Sequence, residues 1–179
     1  MSAILRTIHG SYLYGLAGPG SDLDLYEVVE HGLPGQRVKN RIDTTTVTLD
    51  GFLRQVGDGV PQALEALWSP MKAVDPRWLP FLDGLRPDPV RAVPRFTGAI
   101  LAYLSTHRKP GVVPFDEAPV KNRRHALRLA LELDELLGRG SFDPVLTPSD
   151  RDLVTVSAEL GEQDFHAELR RICPVELGL

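Results

Sequence analysis

Three observations predict an α+β fold for this 179-residue chain. Extended, β-branched segments are confined to about the first fifty residues, and glycines and prolines punctuate them at short intervals. From about residue 90 onward the apolar spacing is helical. The expected architecture is a small mixed β-sheet core in residues 1–88, followed by a helical region in residues 89–179.

Ile4–Ile8 is a first strand that begins almost at the N-terminus, and Tyr12–Ala17 has room for about one helical turn. Gly18-Pro19-Gly20 ends that turn, since glycine and proline interrupt regular structure for opposite reasons. Asp22–Val29 is a second strand, and Glu30–Gln36, with two glycines and a proline, is a loop. Arg37–Leu49 is read as a third extended segment, because the β-branched run Thr44–Val47 disfavours helix. Alternation puts Thr44, Thr46 and Thr48 on one side of it, and Asp43, Thr45 and Val47 on the other.

Asp50 is a candidate N-cap for a helix beginning at Gly51-Phe52-Leu53. Gly57 and Gly59 interrupt it before Pro61–Trp68, a helix with proline in its permitted first turn. Prolines recur from Ser69 to Pro94, which makes this the candidate boundary, with the switch near Arg86–Asp88. Trp78, Phe81 and Leu82 imply that the segment packs on something. Helices are then expected at Arg91–His107, Val120–Arg139, from Thr147-Pro148-Ser149-Asp150 through Leu160, and Glu162–Ile172, with Lys109–Pro119 a loop. In Val120–Arg139 an apolar face carries Ala126, Leu129, Ala130, Leu133, Leu136 and Leu137. Lys121, His125, Arg128 and Glu132 fall on the other side.

Composition narrows the function. A net charge of −4 argues against a general nucleic-acid coat but leaves room for a local basic groove. Cys173 is the one cysteine, so an internal disulfide and zinc-type cysteine spacing are both excluded, and a cytoplasmic protein is the expectation. No apolar run reaches the roughly 20 residues of a membrane span, and the N-terminus lacks the features of a signal peptide.

The chemistry concentrates in residues 10–24. Asp22 and Asp24 lie two residues apart on a strand, hence on one face, where they repel unless a cation sits between them. Hard carboxylate oxygens suit Mg²⁺; taken alone, an Asp-x-Asp equally suits a surface strand. Gly10 permits close backbone approach where the first strand ends, and Ser11 follows at the start of a short helix, a phosphate-binding arrangement or an ordinary turn.

Gly10-Ser11, ten residues, then Asp22-Leu23-Asp24 resembles the signature of the polymerase β nucleotidyltransferase superfamily, and Ser21 matches the serine often found before the first aspartate. The resemblance implies a third metal-binding carboxylate on a neighbouring strand that also takes the proton of the attacking hydroxyl. Asp43 is the candidate, with Asp50 and Glu27 behind it. The segment Leu49–Pro70 is similar to a bacterial and phage-borne subgroup that includes RNA-ligase-associated nucleotidyltransferases, as is Lys121-x-x-x-His125-x-x-Arg128. By that likeness Lys121, His125 and Arg128 are candidates to hold the β- and γ-phosphates, although a solvated helix face has the same pattern.

Arg123 and Arg124 lie further round the same helix, facing solvent or an acceptor. His107-Arg108-Lys109 is a second basic cluster that the helix dipole already explains. His9 is either a group near phosphate or a strand-end histidine, and Tyr12, Tyr14 and Tyr26 either stack on a base or pack the core.

What the resemblance implies is Mg²⁺-dependent transfer of NMP from an NTP to an acceptor hydroxyl, with two metal ions and with Mn²⁺ able to substitute. An RNA or tRNA end is the favoured acceptor. A protein hydroxyl, through self-modification or modification of a toxin partner, and a nucleotide-binding module without turnover are the alternatives. Many relatives carry a helix before the first strand, so the edge it would cover is expected to be open here or used for self-association.

Overall fold

The computed structural model describes residues 3–105 and 119–178. The fold is α+β, a mixed sheet with helices followed by helices alone. The chain divides into two compact units, Met1–Asp88 with Asp143–Val145, and Pro89–Phe142 with Leu146–Leu179. No helix among the described residues is long and apolar enough to cross a membrane.

The first unit runs β1 (Ala3–His9), α1 (Gly10–Tyr14), β2 (Leu23–Val29), β3 (Gly35–Lys39), β4 (Ile42–Thr48), α2 (Leu49–Gly57), α3 (Pro61–Trp68), β5 (Ala73–Val74) and α4 (Leu79–Asp83). The sheet order is β3-β4-β2-β1-β5, with β2 and β4 parallel and the other neighbours antiparallel. After β2 the chain passes beyond the place of β4, forms the edge strand β3, and turns back between the two. That detour is what makes the central pair parallel.

One sheet face packs on α2 and α3. Tyr26 meets Phe52 at a ring separation of 6.3 Å and donates its hydroxyl to Gln55 Oε1 at 3.0 Å. Thr7 donates to Ser69 Oγ at 2.7 Å. Leu5, Val28, Phe52, Leu64 and Leu67 complete this core, each large apolar side chain contributing about 1.5–3 kcal/mol on burial.

Two local expectations are corrected. Arg37–Leu49 is not one extended segment but the β3–β4 hairpin, turned by Asn40 and Arg41 with φ of 51° and 63°. A two-residue hairpin turn of type I′ needs positive φ at both central positions; here Asn40 and Arg41 fill them, and no glycine marks the turn. The cap of α2 is Thr48, whose hydroxyl accepts from the Gly51 N–H at 3.2 Å, and Asp50 lies in the first turn instead. The proline-rich segment holds β5 and α4, with Leu82 buried.

The second unit comprises α5 (Pro89–Ser105), α6 (Val120–Arg139), α7 (Pro148–Ala158) and α8 (Glu162–Ile172). Its central helix, α6, packs on the other three. The buried arc is therefore wider than a simple amphipathic stripe: Leu127, Arg128 and Glu132 are buried with the expected apolar face, whereas Leu137 is 40% exposed. Arg128 and Glu132 pair with each other inside this unit.

Candidate active site

Strand register assembles the site. In the antiparallel β1–β2 pair His9 lies opposite Asp24, and in the parallel β2–β4 pair Asp24 lies beside Asp43. Directly paired residues of neighbouring strands share a face, so His9, Asp24 and Asp43 form a row across three strands. Asp22 lies just before β2, two residues from Asp24.

The turn from β1 into α1 closes tightly on this row. Gly10 has φ +66°, and a Cβ built on it would lie 1.9 Å from Asp24 Oδ2. Only a residue without a side chain fits, which places the backbone of the Gly10-Ser11 turn directly against a carboxylate. Gly15, with φ 75°, ends the helix by sending its N–H back to carbonyls of α1.

The hairpin supplies two polar neighbours that sequence reading missed. Arg41 Nε donates to Asp22 Oδ1 at 3.0 Å, and its Nη2 to the Gly20 carbonyl at 2.6 Å. Gln36 Nε2 donates to Asp43 Oδ2 at 2.6 Å. The other oxygen, Asp43 Oδ1, is buried without a hydrogen-bond partner among the described residues. Such an orphaned carboxylate oxygen is costly unless a further ligand satisfies it.

The donor set is chemically suited to Mg²⁺: hard carboxylate oxygens on adjacent strands, one of them unsatisfied. It is not a closed cage, and among the described residues no group of three or more His, Cys, Asp and Glu is assembled to hold a metal ion. Arg41 and Gln36 each occupy an oxygen that such an ion would compete for, while substrate phosphates and water would fill the remaining positions.

Beneath the row lies a buried polar knot. Glu65 of α3 is 2% exposed and its Oε2 accepts from the Tyr14 hydroxyl at 2.6 Å. His9 Nε2 approaches the same oxygen to 2.7 Å, but not along a hydrogen-bonding direction. The His9 ring lies 5.9 Å from those of both Tyr14 and Tyr26. The two alternatives for Tyr14 and Tyr26 thus divide in favour of core packing, whereas Tyr12 is 43% exposed.

Burial, and secondarily the Glu65 charge, raise the Tyr26 phenol above its ordinary value of 10.0. A folded-state value above the unfolded one means that this contribution to stability is complete below pH 10 and is lost as pH rises through the folded value. Urea midpoints of the wild type are therefore expected to fall above pH 10 more steeply than those of Tyr26→Phe. Parallel curves would show that Tyr26 does not report on folding in this way.

Ser11 and Gly10 thus join Asp22, Asp24 and Asp43 in the first unit. Lys121, His125 and Arg128 belong to the second. Lys121 is exposed, and His125 stacks on Tyr103 at 4.8 Å. Arg128 is 2% exposed and bound to Glu132, so a phosphate contact would require it to leave that buried pair. Arg123 donates to the Leu160 carbonyl at 2.7 Å and covers the Phe165 ring, while Arg124 pairs with Glu159 at 3.2 Å. The cluster His107-Arg108-Lys109 lies outside the described residues. A lone carboxylate in the apolar run Ala63-Leu64-Glu65-Ala66-Leu67 was the signal for Glu65. No protein-family model matches the chain, and no curated protein matches it.

Proposed function

We propose that the first unit is the catalytic core of a nucleotidyltransferase that moves NMP from an NTP to an acceptor hydroxyl and releases pyrophosphate. The observation that carries this reading is the row Asp24–Asp43 with the Gly10 backbone pressed onto Asp24. A glycine turn against paired carboxylates brings a phosphate-binding backbone and a cation-binding face together, as transfer between phosphate oxygens requires.

In this reading the acceptor oxygen bonds to the α-phosphorus as the bridge to pyrophosphate breaks, and Asp43 takes the hydroxyl proton. Mg²⁺, when bound, supplies charge neutralisation at the phosphates. Asp22, Asp24 and Asp43 would hold it, and Ser11, whose hydroxyl makes no hydrogen bond among the described residues, would contact phosphate.

The hairpin favours an anionic acceptor such as an RNA end. Between Leu33 and Ile42 there are Arg37, Lys39 and Arg41 and no acidic residue, although the whole chain is net negative. All three cations are exposed, and neutralising phosphates with such groups gives affinity. A reducing cytoplasmic setting suits the single buried thiol of Cys173.

Incubation with each labelled NTP, Mg²⁺ and total RNA tests the reading. Label in RNA is expected. Label in protein would move the acceptor to a protein hydroxyl, and tight NTP binding without any transfer would leave only a nucleotide-binding module.

A further inference from the structure

We infer that Glu65 is a positioning residue that holds the Gly10-Ser11 turn against Asp24 by tying both ends of α1 to one buried carboxylate oxygen. The assignment of that turn to phosphate rests on the reading above, whereas the tie itself is a property of the fold.

Helix α1 has five residues, too few for its own hydrogen bonds to define its position. It has no side-chain N-cap, since His9 occupies that position without bonding back to the helix. Besides the packing of buried Leu13 on the sheet, the carboxylate below holds it. His9, immediately before the helix, and Tyr14, its last residue, both reach Glu65 Oε2, at 2.7 and 2.6 Å. All three side chains are buried, so water does not dilute these contacts.

Geometry then transmits the hold. His9 is the strand partner of Asp24, and Gly10 follows it in contact range of the Asp24 carboxylate. A shift of α1 along its axis would open or crush that contact. Glu65 is anchored independently of the site, because α3 is also joined to β1 through Thr7 and Ser69. The carboxylate is therefore a fixed post in α3, and the turn bearing Ser11 is strung across it.

The test compares Glu65→Ala, Glu65→Gln and Tyr14→Phe with a control, Ser69→Ala, which breaks the neighbouring α3–β1 hydrogen bond without touching α1. Amide hydrogen exchange of the free protein is the first readout. Residues 10–16 are expected to exchange about tenfold to a hundredfold faster in Glu65→Ala, the scale of losing a charge-assisted buried hydrogen bond. Tyr14→Phe should give part of that effect and Glu65→Gln should restore part of it, since its amide oxygen still accepts from Tyr14. Ser69→Ala should leave residues 10–16 unchanged.

Affinity for a non-hydrolysable Mg·NTP analogue, by calorimetry, is the second readout, with about a tenfold loss in Glu65→Ala and none in Ser69→Ala. If Glu65→Ala does not fold, Tyr14→Phe carries the test. Unchanged exchange at residues 10–16 in the folded variants would overturn the inference. Changed exchange in a protein whose wild type binds no nucleotide would keep the tie and reject the nucleotidyltransferase reading.

Discussion

Asp22→Asn is expected to abolish measurable NMP transfer, a loss of about a thousandfold or more, while the protein melts as the wild type does. The two halves of that expectation have separate causes. The Asp22 side chain is 61% exposed and its partner Arg41 is 64% exposed, and exposed pairs contribute only about 0–1 kcal/mol to folding. Asparagine keeps the size of the side chain and one acceptor for Arg41, so the fold has little reason to respond. For the proposed chemistry, however, a negative charge facing the triphosphate-bound cation has gone. Electrostatic stabilisation of that kind is worth several kcal/mol, and about 1.4 kcal/mol is tenfold in rate. Transfer of labelled nucleotide at saturating NTP, set beside a circular-dichroism melt, separates the two. Near-wild-type transfer by Asp22→Asn would remove the active-site assignment.

Gly10→Ala is expected to damage both activity and stability. Its methyl group would have to stand 1.9 Å from Asp24 Oδ2 and 2.9 Å from Asp24 Cγ, distances that non-bonded atoms do not adopt. Either the aspartate turns away or the β1–α1 turn lifts off the sheet. The positive φ adds roughly 1–2 kcal/mol of backbone strain for any residue with a Cβ. Misplacing a reacting group by about 1 Å can lower the rate a hundredfold, and that is the expected minimum loss of transfer. Gly20→Ala is the control, since a Cβ there meets nothing within 4 Å, and it should behave as wild type. A Gly10→Ala protein with ordinary activity and melting temperature would mean that the turn does not press on Asp24 in solution.

Much of this arrangement is legible in the order of residues, and what is not legible has identifiable reasons. The alternation of Asp43, Thr45 and Val47 with Thr44, Thr46 and Thr48 follows from strand geometry alone, and the register to β2 keeps it. Helix Val120–Arg139 is bounded as its apolar spacing and following glycine predict. Which face of it is buried is a different matter, because that depends on three neighbouring helices that no local pattern announces. Arg128 and Glu132 therefore look like surface residues in the sequence and are core residues in the fold.

The hairpin turn was hidden because Asn40-Arg41 lacks the glycine that usually marks one. Gln36, assigned to a loop, and Arg41, assigned to a continuous strand, are thereby hidden as neighbours of the carboxylates. Glu65 is the plainest case of tertiary context: its partners His9 and Tyr14 lie more than fifty positions away in the chain.

Arg41 ties the proposed cation site to conformational energy in an unexpected place. Its backbone sits at φ 63°, a region that residues with a Cβ enter at a cost, and its guanidinium meets both Asp22 and the Gly20 carbonyl. Those side-chain bonds help to offset the torsional penalty of the turn. A cation taking Asp22 Oδ1 would compete with Arg41 for that oxygen, and so weaken one of the interactions that keep the hairpin closed. If the proposed cation binds, ion entry and hairpin closure are thermodynamically linked: a tighter hairpin would lower apparent cation affinity, and a bound cation would loosen the hairpin that carries the exposed cations Arg37 and Lys39.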